Sequence, residues 1–303
     1  MMVAGILESA AEPAVGPDSR LRLLQVNGKP FDGNETMSSA IHFRKMFREA
    51  TLVIDDLLLL ESFQIALLPG WVPEREFGVV LTARPEIARF LVTRCPEVAG
   101  FVDDVIQESE DSIAPQDLQT CGDTVVWTIA DLLVYNKCPD VYDVQPFHAW
   151  DFAEISTIVD LAGKTVVDAG SGTGRVALKA AETAATVFAV EPVSRLRQFI
   201  RSKARQKGLT NVYAVDGFVD QLPFPDSFVD VIITSHALGW RLPEELREVE
   251  RVVRSPGIII HCPGTAVGTE DDQHAIMATP PWGYEWSEYD EADGPKRKYW
   301  KKT

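Results

Sequence analysis

From residue 165 onward, short apolar runs alternate with amphipathic segments, and this alternation constrains the fold more than any other feature of the chain. The runs are rich in Val and Ile and lack polar alternation, which is typical of strands buried on both faces of a parallel sheet. Helical patterns separate them, and a repeated strand–helix–strand pattern predicts a doubly wound α/β domain. The runs cover residues 165–167, 186–190, 212–215, 229–234 and 257–261, and the helical patterns cover 176–185, 194–207 and 243–253.

The last twenty residues depart from this pattern. Residues 284–289 and 296–300 have the composition of two strands, and Asp293, Gly294 and Pro295 form a turn signal between them. Adjacent strands joined by a short turn pair antiparallel. We therefore predict an antiparallel hairpin at one edge of the sheet.

The front half of the chain predicts a different organisation. A length of 303 residues favours two folding regions. Residues 1–48 contain scattered Pro and Gly and are predicted to be a partly ordered leader, whereas apolar residues at helical spacing predict a mainly helical region over 49–145. The sheet domain is then expected to occupy 146–303.

Composition and charge exclude several classes of protein. Apolar residues make up 46% and charged residues 24% of the chain, as in globular proteins. No apolar run approaches the roughly 20 residues of a membrane span, and the first residues lack the basic character of a secretory signal, so we expect a cytoplasmic protein. The net charge of −16 argues against binding to nucleic acid or to an anionic membrane.

The four cysteines indicate neither a metal site nor a disulfide framework. Cys95, Cys121, Cys138 and Cys262 are far apart, without a CxxC pair or a His at ligand spacing. Free cysteines are among the most frequently buried residues. We expect buried thiols and no bound metal.

The strongest chemical signal is the segment VVDAGSGTGR at 166–175, in which a buried strand enters a glycine-rich turn and then a helix. Such glycines let the backbone approach a ligand closely. Glu191 ends the next strand, where a carboxylate can bind both hydroxyls of a ribose. Asp216, Gly217 and Phe218 end the third strand and can together recognise an adenine. The pattern therefore predicts a site for an adenosine-like ligand.

A dinucleotide cofactor is the first alternative, because NAD(P) dehydrogenases share a strand, a glycine turn and a later acid. Their motif, G-x-G-x-x-G/A, requires a small residue where this chain has Arg175. Asp168 also precedes the turn, where it would repel a pyrophosphate and attract a cation. S-adenosylmethionine carries an ammonium and a sulfonium and no phosphate, which favours it as the ligand.

These landmarks resemble those of the class I S-adenosylmethionine-dependent methyltransferases, most closely the type 11 group that acts on small molecules. The resemblance rests on 168–175, Glu191, Asp216, the segment LPFPDSF at 222–228 with Asp230, and the terminal hairpin, and it covers about 150–303. It implies a seven-stranded, mostly parallel sheet in the order 3-2-1-4-5-7-6.

The resemblance also implies roles for individual residues. Asp168 and the backbone of the turn would hold the methionine part of the cofactor, Glu191 the ribose, and Asp216 the adenine amine, with Phe218 at the ring. The complete predicted cofactor site consists of Asp168, Gly170, Ser171, Gly172, Gly174, Glu191, Pro192, Asp216, Gly217, Phe218 and Ser235.

The acceptor side of the site is less defined. The fourth strand ends in Thr234-Ser235-His236-Ala237, where amino-methylating relatives carry Asn/Asp-Pro-Pro-aromatic, so oxygen or carbon is favoured over nitrogen as the acceptor atom. His236 is the predicted catalytic base, since an imidazole titrates near neutral pH. His148 and His261 are predicted to be structural, and Trp150 either covers the cofactor or packs the linker.

We therefore predict a methyltransferase, a monomer or homodimer, acting on a small organic acceptor. The helical region would close over the sheet edge as a lid and contact the acceptor. Its acidity favours a neutral or cationic acceptor. A non-catalytic protein that keeps the cofactor fold for partner recognition and an NAD(P)-dependent oxidoreductase are the alternatives.

Overall fold

A computed structural model describes residues 33–110, 117–145, 150–262, 264, 272–291 and 294–303. His148, most of the predicted leader and Asp293 of the predicted turn lie outside these residues. Among the described residues, every helix is too short or too polar to cross a lipid bilayer.

The front part of the chain is helical, as predicted. Its apolar side chains form one core that extends from Phe47 to Val134. A helix also covers Gly33–Met46, within the segment predicted to be a partly ordered leader. The α-helices are α1 (Gly33–Met46), α2 (Ser62–Ile65), α3 (Glu74–Ala83), α4 (Pro85–Arg94), α5 (Ala99–Glu110), α6 (Leu118–Thr128), α7 (Ala130–Lys137) and α8 (Pro139–Asp143), and 3₁₀ helices cover Ile54–Leu59 and Pro96–Val98.

The second part contains a seven-stranded sheet in the order β3-β2-β1-β4-β5-β7-β6. The predicted order is confirmed. The first five strands pair in parallel, and β7 pairs antiparallel with both β5 and β6. The strands are β1 (Thr165–Ala169), β2 (Thr186–Val190), β3 (Val212–Val215), β4 (Val229–Ser235), β5 (Val253–Cys262), β6 (Glu285–Glu291) and β7 (Gly294–Lys302).

Helices cover both faces of this sheet. They are α9 (Ala153–Ser156), α10 (Arg175–Ala180), α11 (Ser194–Gln206), α12 (Leu242–Val252) and α13 (Asp272–Ala278). Val166 of β1 packs into the core on one face, whereas Val167 packs into the core on the other. Both faces of the strands are therefore apolar, which is the physical reason for the missing polar alternation in the sequence. The helix predicted over 176–185 is shorter, because it ends at Ala180 and a turn follows.

The helical part packs against the carboxyl edge of the sheet. The contacts reach the segments that follow β1, β2, β3 and β4, so this part extends across the middle of the edge. They pair Tyr142 with Gly172, Glu61 with the Ser194 N–H (2.6 Å), Asp143 with Lys203 (2.7 Å), the ring of Phe63 with that of Phe218 (centroids 5.2 Å apart) and the ring of Trp71 with that of Trp240 (5.9 Å).

A buried carboxylate fixes the opposite end of β1. Oδ2 of Asp230, in β4, accepts a hydrogen bond of 2.8 Å from the Thr165 N–H, and Oδ1 pairs with Arg254. The Asp230 side chain is only 10% exposed. A buried backbone N–H that loses its acceptor carries the full cost of its desolvation.

We predict that Asp230→Ala lowers the free energy of unfolding by about 1–3 kcal/mol, because it leaves the Thr165 N–H unpaired. Urea denaturation followed by circular dichroism measures this change. Asp226→Ala is the matched control: this carboxylate pairs with Arg251 but is 78% exposed, so its loss costs about 1 kcal/mol or less. Equal losses in the two variants would contradict the role assigned to Asp230.

Candidate functional site

The three glycines of the turn after β1 all have positive φ, at +76° for Gly170, +53° for Gly172 and +81° for Gly174. They differ in what surrounds them. A Cβ on Gly170 would lie 2.3 Å from the Ala237 Cβ, and one on Gly174 would lie 2.7 Å from Cγ1 of Ile200. A Cβ on Gly172 would meet Cε1 of Tyr142 at 3.8 Å, an ordinary contact. Gly170 and Gly174 therefore permit close packing within the protein, and Gly172 leaves space on the side of the helical part.

Asp168 lies at the end of β1 and is 1% exposed. Its Oδ2 accepts a hydrogen bond of 2.9 Å from the Ala177 N–H, one of the free donors in the first turn of α10. Its Oδ1 is buried and has no partner among the described residues. Burial raises the pKa of this carboxyl to about 7. Asp168 therefore supports the helix with one oxygen and keeps the other for a donor outside the described protein.

Ser171 is buried, and its hydroxyl donates to the Asp168 carbonyl at 2.7 Å. The hydrogen bond closes the first part of the turn. The predicted contribution of Ser171 to the cofactor site would therefore come from its backbone, since this hydroxyl already has a partner.

Glu191 follows β2 and is 5% exposed. Its Oε2 accepts from the Gly172 N–H at 2.8 Å, and its Oε1 accepts from the Val193 N–H at 2.9 Å. Burial raises the pKa of this carboxyl to about 7. A carboxylate has about four acceptor positions, so two stay available after these bonds. The carboxylate thus joins the tip of β2 to the glycine turn and keeps capacity for two further donors.

The third predicted group of residues is arranged less compactly. Asp216 has a side chain that is 72% exposed and pairs with Nη1 of Arg197 at 3.0 Å. Gly217 packs closely on Val190. Phe218 is 41% exposed, and its ring meets the edge of Phe63 from the helical part. The structure brings Phe218 to the carboxyl edge, whereas Asp216 faces solvent.

His236 follows β4 with φ +54°, a conformation that non-glycine residues seldom adopt. Its Nδ1 lies 3.1 Å from Oγ of Ser235, and its Nε2 lies 3.4 Å from Oε1 of Glu291. The side chain is 30% exposed. His236 is therefore at the carboxyl edge, as the sequence predicted, and both ring nitrogens have neighbours. The Ser235 hydroxyl, predicted to be part of the cofactor site, lies against the His236 ring here.

The other predicted residues have these positions. Pro192 follows Glu191 directly, and its carbonyl accepts from Arg197 at 2.7 Å. His261 is fully buried in β5, bonds to Thr234 through Nδ1 at 2.7 Å, and has its pKa lowered to about 3 by burial, in agreement with a structural role. Cys95, Cys121 and Cys262 are buried, Cys138 is half-buried, and none of the four is in a disulfide.

Trp150 packs into the core on one face of the sheet. It is 5% exposed, the guanidinium of Arg175 lies 4.8 Å from its ring centroid, and its ring contacts that of Tyr289. A surface cavity of about 520 Å³ borders Trp150, Arg175 and Lys207, but none of the predicted site residues lines it.

The helical part carries a group of polar side chains that was not predicted from the sequence. Tyr135 and Tyr142 pack edge to face with centroids 4.7 Å apart, and Tyr135 donates a hydrogen bond to Tyr142. Both lie within electrostatic reach of Glu191 and of Asp131, whose buried Oδ1 has no partner in the described part of the chain. Burial raises the pKa of Asp131 to about 6 and that of Tyr142 to about 12. Helical periodicity predicts which face of a helix is buried but not which strand end it meets.

The site also contains Glu291 and Tyr289 from the hairpin, which the sequence analysis did not assign. Glu291 is the last residue of β6, a strand that runs parallel to β4 and β5 in space because both β5 and β6 pair antiparallel with β7. It therefore reaches the carboxyl edge. The predicted order 3-2-1-4-5-7-6 placed the hairpin beside β5, but the direction of β6 follows only from the two antiparallel pairings.

Comparison with known proteins agrees with this architecture. A family model described as a methyltransferase domain matches residues 167–261, from β1 to β5. An uncharacterized methyltransferase of Geobacillus sp. (strain WCH70) is 34% identical over 94 residues, which are 31% of this chain and 42% of that protein. An uncharacterized methyltransferase of Geobacillus thermodenitrificans is 27% identical over 173 residues, 55% of this chain and 76% of that protein.

Solved structures are also similar to part of this chain. A SAM-dependent methyltransferase from Aquifex aeolicus is 18% identical and has a TM-score of 0.43, with 55% of this chain and 96% of that chain covered. This chain covers less than half of the first Geobacillus relative. The segment 167–261 is thus similar to a methyltransferase domain, and the sheet has the strand order that the resemblance in the sequence implied.

Proposed function

We propose that this protein transfers a methyl group from S-adenosylmethionine to a small organic acceptor, at oxygen or carbon. The observation that carries this proposal is the pair of buried carboxylates, Asp168 and Glu191, on either side of Gly172. A buried carboxylate without a cation is costly unless it is protonated or meets a donor. A ligand with a positive charge and two neighbouring hydroxyls would bring a cation to Asp168 and two hydrogen-bond donors to Glu191.

The residues fit this cofactor. Oδ1 of Asp168 has no partner among the described residues, which suits an ammonium nearby, and Glu191 keeps two acceptor positions for ribose hydroxyls. Gly172 provides backbone without a side chain. S-adenosylmethionine, when bound, supplies a methyl carbon on a sulfonium; the acceptor atom bonds to this carbon, and sulfur keeps the electron pair of the broken bond. The residues of this chain bind and align the reactants.

The helical part would form the acceptor wall of the site. Tyr142 faces Gly172, and Asp131 adds a buried carboxyl without a partner in the described part of the chain. Aligning two reactants supplies much of the acceleration in a displacement of this kind. We infer that this wall excludes water and orients the acceptor, as expected for a lid.

His236 would act as the base. It lies beyond the end of β4, the strand beside β1, and its imidazole is partly open to solvent. A base is needed only when the acceptor atom carries a proton. An acceptor hydroxyl would meet this condition.

The cofactor assignment predicts a specific loss in Glu191→Gln. The amide keeps one acceptor oxygen for the turn but loses the charge that strengthens two bonds to ribose hydroxyls, worth about 1.5–3 kcal/mol. Isothermal titration with S-adenosylhomocysteine should show a dissociation constant raised at least about tenfold. Asp226→Asn, at a carboxylate that is 78% exposed and outside the predicted cofactor site, serves as the control for loss of charge and should change the constant much less. Equal binding by wild type and Glu191→Gln would remove the ribose assignment, and binding of NADH instead would favour an oxidoreductase.

Binding should also depend on pH, because the pKa values of Asp168 and Glu191 are raised to about 7 by burial. Both carboxyls take up protons as the pH falls from 8 to 6 and then attract an ammonium and hydroxyl donors less strongly. The dissociation constant for S-adenosylhomocysteine should therefore rise about tenfold over this range. The free energy of unfolding of the protein without ligand should change in the opposite direction. A carboxyl with a raised pKa stabilises the fold while it is protonated, and this contribution is lost as the pH rises through 7. A constant that does not change between pH 8 and pH 6 would contradict this account.

His236→Asn tests the proposed base. With an acceptor found by screening hydroxyl compounds, turnover should fall well over tenfold, since general base catalysis contributes about 10² to 10⁴. The affinity for S-adenosylhomocysteine should stay within about twofold of wild type, because Asp168 and Glu191 are unchanged. Unaltered turnover would remove His236 from the mechanism. Cofactor binding without any methyl transfer would favour a non-catalytic binding protein.

A further inference from the structure

A carboxylate from the terminal hairpin meets His236 at the carboxyl edge of the sheet. Oε1 of Glu291 lies 3.4 Å from Nε2 of His236, and the Glu291 side chain is only 3% exposed. The two residues are 55 positions apart and belong to the ends of different strands. Their contact is therefore a product of the fold and not of local sequence.

The Glu291 carboxylate is a hydrogen-bond acceptor. Tyr289 donates its hydroxyl hydrogen to the same Oε1 at 2.7 Å. Burial alone would raise the pKa of the Glu291 carboxyl, but the bonds from His236 and Tyr289 outweigh it, so that the pKa lies below its usual value. An ionised carboxylate accepts hydrogen bonds and donates none. A lone pair on Nε2 would face this carboxylate, whereas a hydrogen there is attracted to it, so the contact favours the hydrogen on Nε2 of a neutral His236.

Nδ1, the other ring nitrogen, then has a lone pair that can accept a hydrogen bond. In neutral imidazole one nitrogen is a donor and the other an acceptor, so Nδ1 is the acceptor when Nε2 carries the hydrogen. Oγ of Ser235 lies 3.1 Å from Nδ1, the distance at which a hydroxyl donates to it. The Ser235 hydroxyl thus shows that an O–H group at this position can donate a hydrogen bond to Nδ1 of the proposed base.

The ring is also confined. A Cβ on Gly264, which follows β5, would lie 2.1 Å from Cδ2 of His236, so the chain passes directly beside the ring. His236 itself has φ +54°, and residues in sparsely populated conformations persist only when the surrounding structure holds them. The ring is fixed between Glu291, Ser235 and Gly264.

We propose that Glu291 is a positioning residue that holds His236 as the Nε2–H tautomer, so that Nδ1 accepts the proton of an acceptor hydroxyl. This inference rests on the proposed methyltransferase function and specifies its substrate class as hydroxyl compounds. The proton moves from the acceptor oxygen to Nδ1, and the electron pair of the O–H bond stays on the oxygen that receives the methyl carbon. The carboxylate does not take up the proton.

The first test measures the tautomer in the protein without cofactor. Nitrogen-15 chemical shifts of the histidine rings, recorded at a pH at which they are neutral and assigned with His236→Asn, should show the Nε2–H tautomer of His236 in wild type. In Glu291→Gln the amide offers both a donor and an acceptor, so this preference should be lost. Glu285→Gln, at an exposed carboxylate of the same strand, is the control and should keep the wild-type tautomer. An unchanged tautomer in Glu291→Gln would overturn the proposal.

The second test separates binding from turnover. Glu291→Gln should lower kcat at least about tenfold while KM for the acceptor and the affinity for S-adenosylhomocysteine stay within about twofold, because a base with the wrong tautomer affects the reaction step. Retained binding of S-adenosylhomocysteine also shows that the variant is folded. Glu285→Gln should match wild type in both quantities. A wild-type kcat in Glu291→Gln would overturn the positioning role. Wild type that binds S-adenosylhomocysteine but methylates no hydroxyl compound would overturn the hydroxyl substrate class, whereas wild type that does not bind S-adenosylhomocysteine would overturn the proposed function.

Discussion

The hydrogen bonds of Glu191 organise the candidate site. Its carboxylate binds the Gly172 N–H and the Val193 N–H, and so holds the turn after β1 against the segment after β2. The strand order places these segments side by side, since β1 and β2 are paired in parallel. Because Glu191 is buried without a cation against its oxygens in the described part of the chain, its ionised form is destabilised. A ligand that donates hydrogen bonds there would remove part of that cost.

The helical part also contributes contacts at the site. Tyr142 lies over Gly172, and Glu61 accepts from the first backbone N–H of α11. These contacts cover part of the edge at which Glu191 lies. The helical part thus covers this edge, and burial raises the pKa of Glu191.

Much of the sheet could be predicted from sequence because its determinants are local. Apolar runs on both faces, a glycine turn and a terminal turn signal specify strands, their surroundings and the hairpin. The helix Gly33–Met46 was missed because its sequence has weak apolar periodicity and was interpreted from neighbouring Pro and Gly. The contact of Tyr142 with Gly172 and that of Glu291 with His236 join distant segments, and no local pattern encodes such pairs.

The glycine turn shows why a motif alone is incomplete evidence for a ligand. Two of its three glycines are explained by the protein itself, since Ala237 lies against Gly170 and Ile200 against Gly174. A structural turn with no ligand would need these two as well. Of these three glycines, only Gly172 has, together with its positive φ, room for a Cβ and an N–H bonded to a buried carboxylate. Gly172 with Glu191 and the oxygen of Asp168 that has no partner among the described residues are therefore the features that point to a cofactor. Gly170 and Gly174 hold the turn in the position where those groups meet.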